Sequence, residues 1–216
     1  MFAVINAAAL RRRHHPPVDP ETPMTEQSPL PRPTVALALV RCVASTISLL
    51  VAGRIHQPRD HVGQVVQFAD DTTSWVYRET RVERPASTAP TALVVGFRLR
   101  WIRGTGHLWF RRESLLNTPL FVGFPGFVSK LWMAHDASGR YRGLYDWDGP
   151  DRAERYARSL WRVLALVSVP GSIQYKVLPG LTRDQLLGDG GPLAPEIGPD
   201  WWRPISSRIT SADVSP

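Results

Sequence analysis

Between residues 92 and 180 the apolar side chains run through periods of two, 3.6, two, two, 3.6 and two, and that succession constrains the fold more than any other feature of the chain. Leu93, Val95, Phe97, Leu99 and Trp101 alternate with Val94, Gly96, Arg98 and Arg100, as in a strand with one buried face. Residues 105–116 read as a helix, with Thr105 able to cap its start and Pro119 just beyond its end. The runs FVSKLWMAH and YRGLYDW, joined by Asp136-Ala137-Ser138-Gly139, read as two strands of a hairpin. A second helix follows: Asp148 stands at its cap, Pro150 in its first turn, and Ala153, Tyr156, Ala157, Leu160 and Leu164 recur at helical spacing. Pro170-Gly171 stops it and SIQYKV supplies a last strand. The order βαββαβ predicts an α+β, ferredoxin-like domain over 92–180, with four antiparallel strands and both helices on one face.

The flanking segments read differently. Residues 1–33 carry seven prolines between Pro16 and Pro33, which block helix propagation and predict a disordered leader. Arg11, Arg12 and Arg13 follow the short apolar stretch where a secretory signal would place them before it, so export is disfavoured, and Met24 is an alternative start. Residues 34–54 are apolar for long enough to cross a membrane, yet Arg41 shares a helical stripe with Ala38, Ser45, Ser48 and Ala52. That pattern predicts an amphipathic helix docked on the domain or on a membrane surface, ahead of a true span. Two β-rich runs around Ala69-Asp70-Asp71-Thr72 predict a hairpin extension over 60–84. Residues 181–216 show no lasting period and read as an irregular tail that Trp201 and Trp202 could dock.

Charge and cysteine content narrow the setting. Cys42, the single cysteine, cannot close an intramolecular disulfide and has apolar neighbours, so it reads as a buried filler in a reducing, cytoplasmic compartment. Of 26 basic and 19 acidic residues, 13 basic and 6 acidic lie in 92–180, so the net charge of +7 belongs to the predicted domain. Such an excess suits an anionic ligand, nucleic acid or a phospholipid surface.

If both helices cover one sheet face, the other must be hydrated, covered by another subunit, or used for a ligand. One strand parity reads as Arg98, Arg100, Lys130, Trp132, Gln174 and Lys176, a polar and aromatic face suited to self-association around a shared cavity. The stretch FPGFVSKLWMAHDASGRYRGLYDWDG, with Pro125-Gly126-Phe127, Lys130, Trp132, Gly143, Tyr145 and Trp147, resembles the YdhR-type monooxygenases of the dimeric α+β barrel superfamily over about residues 93–180. The resemblance implies a homodimer with sheets facing one another, a pocket between sheet and helices, and oxidation of small aromatic compounds by O₂ without metal or flavin.

On that reading Arg98, Arg100 or Lys130 would hold a substrate anion, Trp132, Tyr145 and Trp147 would line an aromatic pocket, and a neutral His135 or His107 would accept a proton. Each has a plainer reading: a histidine at a strand end is ordinarily solvated, and strand aromatics ordinarily pack under helices. No protein-ligated metal is expected, because no His, Cys or carboxylate groups show ligand spacing. No cofactor is expected either; haem is the alternative, with His135 or His107 as ligand. RNA-recognition modules share βαββαβ topology, but Leu144 stands where a stacking aromatic belongs and Asp146 would repel phosphate, so nucleic acid is disfavoured. A non-enzymatic ligand-binding protein or membrane-associated scaffold remains the alternative to an oxygenase.

Overall fold

The computed structural model describes residues 29–100, 121–188 and 200–209. Along the chain run α1 (Arg32–Val51), β1 (Ile55–His56), β2 (Gln64–Phe68), β3 (Thr73–Val82), β4 (Pro90–Arg98), β5 (Phe127–Met133), β6 (Arg140–Asp148), α2 (Pro150–Leu164), β7 (Gln174–Pro179), α3 (Arg183–Leu187) and β8 (Pro204–Ile209). The helix expected over 105–116 lies outside the described residues.

Strands β7, β4, β6 and β5 are neighbours in that order and pair antiparallel throughout. This is the ferredoxin-like arrangement, with the first and third strands of the unit in the middle. Beyond β5 the same sheet continues through β3, β2 and β8, while β1 also pairs with β3. The hairpin extension therefore widens the sheet of the main domain. Its tight turn is set locally: Asp71 takes φ +59° and the Asp70 carboxylate accepts from the Thr72 amide and hydroxyl.

Proline begins both long helices. Pro31 stands at the cap of α1 and Pro150 in the first turn of α2, where a missing amide costs nothing. Asp148 does not cap α2, contrary to expectation; Gly149, at φ +105°, takes that position. The Asp148 carboxylate is spent instead on the loop before β4, accepting from the Ser87 hydroxyl at 2.9 Å, the Thr88 amide at 2.9 Å and the Ala89 amide at 3.1 Å, with Arg152 at 2.8 Å on its other oxygen.

Two apolar cores lie on the two sides of the sheet. On one, Leu93, Val95, Trp132, Tyr145, Trp147 and Tyr175 meet Ala153, Tyr156 and Ala157 of α2, Cys42 of α1, and the turn containing Phe121 and Phe124. On the other, Ala92, Val94, Leu131, Met133, Leu144 and Leu178 are covered by Leu186 and Leu187 of α3, by Trp201 and Trp202, and by Val66 and Phe68 of β2.

The second core corrects two expectations. Residues 181–216 are not irregular throughout: Thr182 and Gln185 form a reciprocal capping box that starts α3, and residues 204–209 pair with β2. Both segments are too short for their periodicity to show in sequence. The sheet face expected to await a twin subunit is covered by the chain itself. Gly96 marks how tightly, since a Cβ there would lie 2.6 Å from the Trp201 ring. Arg142, with none of its side chain exposed, clamps the arrangement: it donates to the Trp201 carbonyl at 2.8 Å, to Asp136 at 2.6 Å and to Asp70 at 2.8 Å.

Candidate functional site

The expected grouping of Arg98, Arg100, Lys130, Trp132, Gln174 and Lys176 on one face does not occur. Lys130 is registered opposite Tyr145 and Tyr145 opposite Leu93, which puts Lys130 and Trp132 on the α2 side. Arg98 follows Val94 and Gly96 on the opposite side, at an exposed strand end, and Lys176 lies there with its ammonium 5.4 Å from the Trp202 ring. The cause is a register shift between Phe127 and Ser129. A bulge of this kind flips every later side chain of a strand, and nothing in strand parity announces it. Arg100 serves a structural end, donating through Nε and a terminal nitrogen to the Ser168 carbonyl at 3.2 and 2.9 Å.

The bulge brings Lys130 into the aromatic core. Its Nζ lies 3.2 Å from the centroid of Trp132, 4.5 Å from Phe121 and 4.9 Å from Tyr145. Trp132 is held by a hydrogen bond from Nε1 to the Thr80 hydroxyl at 3.1 Å and carries the Arg78 guanidinium 3.9 Å from its ring. Behind it, Phe127, Trp147 and Tyr156 stack edge to face or tilted, with centroids 5.6 Å (Phe127 to Trp147) and 4.8 Å (Trp147 to Tyr156) apart, and the Tyr156 hydroxyl lies 3.3 Å from that of Tyr145. Lys130, Trp132, Tyr145 and Trp147, four of the six residues expected to bind a ligand, thus come together.

Magnitudes decide the direction of the shift. Desolvating an ammonium costs several kcal/mol, whereas a buried cation over an aromatic face regains about 2 kcal/mol. Among the described residues no carboxylate forms an ion pair with Lys130. Burial, with a smaller contribution from the Arg78 charge, therefore holds the Lys130 amine well below the ordinary lysine range. Burial likewise pushes the Tyr145 and Tyr156 phenols up and brings Arg78 down to about 10. The site brings together a buried amine whose charged form is disfavoured, a neighbouring guanidinium and aromatic walls.

Neither expected histidine joins it. His107 lies outside the described residues. His135 packs on Tyr141, ring centroids 5.4 Å apart, and Tyr141 precedes Tyr145 by four residues along β6, roughly 13 Å at strand rise. Asp136 does not orient that imidazole; its oxygens serve Arg142, Ser138 and the Arg140 amide.

Sequence reasoning missed Arg78, Phe121 and Tyr156, and it missed a second polar cluster on the other sheet face. There Glu79, fully buried, meets His61 Nδ1 at 2.8 Å, Arg81 at 3.0 Å and Arg183 at 3.3 Å, while Arg183 also donates to the Ser129 hydroxyl at 3.0 Å and its amide to Asp146 at 2.6 Å. Burial alone would raise the Glu79 carboxyl, but the His61 hydrogen bond and the Arg183, His61 and Arg81 charges hold it down to about 2. The cluster fixes α3 to the sheet. Among the described residues no three His, Cys, Asp or Glu side chains converge as metal ligands.

The fold and these contacts define the chain as a ferredoxin-like α+β protein with a buried cluster of basic and aromatic side chains. No family model matches it, and no curated protein matches it. A solved structure from Listeria monocytogenes 4b F2365, described as an uncharacterized ferredoxin fold protein related to antibiotic biosynthesis monooxygenases, is similar over 58% of this chain and 91% of its own, at 11% identity and a TM-score of 0.36. A likeness that distant carries no information about ligand or reaction.

Proposed function

We propose that the chain is a small-molecule-binding protein whose ligand is a small aromatic anion, held between the sheet and α2 with its charge against Lys130 and Arg78. The observation that supports this reading is the burial of the Lys130 amine among Trp132, Phe121 and Tyr145 with, among the described residues, no carboxylate in ion-pair contact. An anion arriving there supplies the missing partner, and Lys130 takes up a proton as it binds. Every group named comes from one chain. The oxygenase chemistry implied by the YdhR-type resemblance would act on the same bound anion, with the substrate oxidised and O₂ reduced.

Titration with a panel of aromatic carboxylates and phenols, followed by tryptophan fluorescence, tests the proposal. At least one member should quench Trp132 emission with an accompanying proton uptake, and Lys130→Met should abolish the uptake and weaken binding by about tenfold or more. Binding that Lys130→Met leaves unchanged would sink it. Oxygen consumption with the bound ligand separates an oxygenase from a binding protein.

A further inference from the structure

We infer that the outward side of α1 is a docking surface for an anionic lipid bilayer, with the helix lying in the headgroup plane rather than crossing it. This surface is independent of the Lys130 site. Its inward side is committed to the domain: Val35, Cys42 and Thr46 are buried, and Ala38, Leu39 and Leu49 pack beside them. Gly123 approaches the Cys42 carbonyl and Thr46 hydroxyl so closely that no Cβ would fit. That contact sits near the middle of the 20-residue helix. A spanning helix needs about 20 residues clear of the aqueous domain, so α1 cannot cross while docked.

The outward side is apolar. Leu37 is 52% exposed, Val40 67%, Ile47 56%, Leu50 56% and Val51 86%. Scattered exposed leucines are ordinary; five large apolar side chains along one side of one helix are not. A 20-residue helix is about 30 Å long, so a stripe about 10 Å wide offers roughly 300 Å², well below the roughly 800 Å² per partner that a stable dimer buries. A second copy is therefore the poorer occupant. Charge points to lipid: α1 contains Arg32 and Arg41, both exposed, and no Asp or Glu. Apolar side chains entering the acyl boundary with flanking arginines at phosphate depth make an interfacial helix.

The test is co-sedimentation of the full chain with phosphatidylcholine vesicles made with and without phosphatidylglycerol. The protein should pellet with the anionic vesicles, bind less as salt is raised, and be released by alkaline carbonate. The triple substitution Val40→Glu, Ile47→Glu, Val51→Glu should weaken binding about tenfold or more, with the near-ultraviolet circular dichroism of the domain unchanged. Three results would overturn the inference: equal binding by the triple variant, retention in the pellet after carbonate, or lipid-free dimers that the triple variant dissociates while vesicles bind neither protein.

Discussion

Replacing Lys130 with methionine should stabilise this protein, and the expected size follows from its surroundings. The side chain is 7% exposed, with its amine over three aromatic rings and Arg78 beside the same indole. In the unfolded chain lysine titrates near 10.4, whereas burial lowers it well below that in the fold. The unfolded state therefore binds more protons between the two values, so stability rises with pH across that window. At neutral pH each unit of depression down to about pH 7 costs about 1.4 kcal/mol, and depression below that adds no further cost there. Methionine fills a similar volume with no charge to desolvate, and swaps of buried charge for apolar volume gain about 1–4 kcal/mol. Urea unfolding followed by circular dichroism at pH 7 and pH 9 measures both effects. The wild type should gain stability between those conditions; Lys130→Met should start higher at pH 7 and lose most of the slope. A variant destabilised equally at both pH values would show that Lys130 is ionised and anchored, and the argument for an anion site would fail.

Three further outcomes are expected. Glu79→Gln should cost roughly 1–3 kcal/mol at neutral pH, because the buried carboxylate's charge-assisted contacts to His61, Arg81 and Arg183 are lost while Arg183 keeps Asp184 at 2.9 Å. The Glu79 carboxyl is depressed from 4.5 to about 2, so its stabilisation is present above pH 4.5 and lost as pH falls through about 2; acid titration of the variant should lack that limb. Gly96→Val should expel Trp201 from the sheet, seen as red-shifted tryptophan emission and faster tryptic cleavage after Arg208, with a loss of about 1–3 kcal/mol. The buried Cys42 thiol, pushed up to about 11 by burial, should react with Ellman's reagent only on unfolding, tracking the denaturant curve.

The ferredoxin-like order was legible because each of its strands and α2 carries its own short-range period: Leu93 to Phe97 at two, Ala153 to Leu164 at 3.6. Turn chemistry at Asp70 and Gly139 was legible for the same reason. The site was half legible. Lys130, Trp132, Tyr145 and Trp147 could be singled out by residue type, but their common face could not, since it depends on the bulge before Ser129. Arg78 was hidden by a second shift, between Val76 and Arg78, and by lying 52 residues from the Lys130 it accompanies.

What the sequence alone determined, then, was which segments became strands and helices and which residue types were available for chemistry, because those follow from local periodicity and backbone preference. Tertiary structure decided which side of the sheet each side chain faces, that residues 181–188 and 200–209 close the face a twin subunit was expected to cover, and that Lys130 loses its solvent. Register, long-range pairing and burial arise between segments far apart in the chain, so no window of sequence contains them.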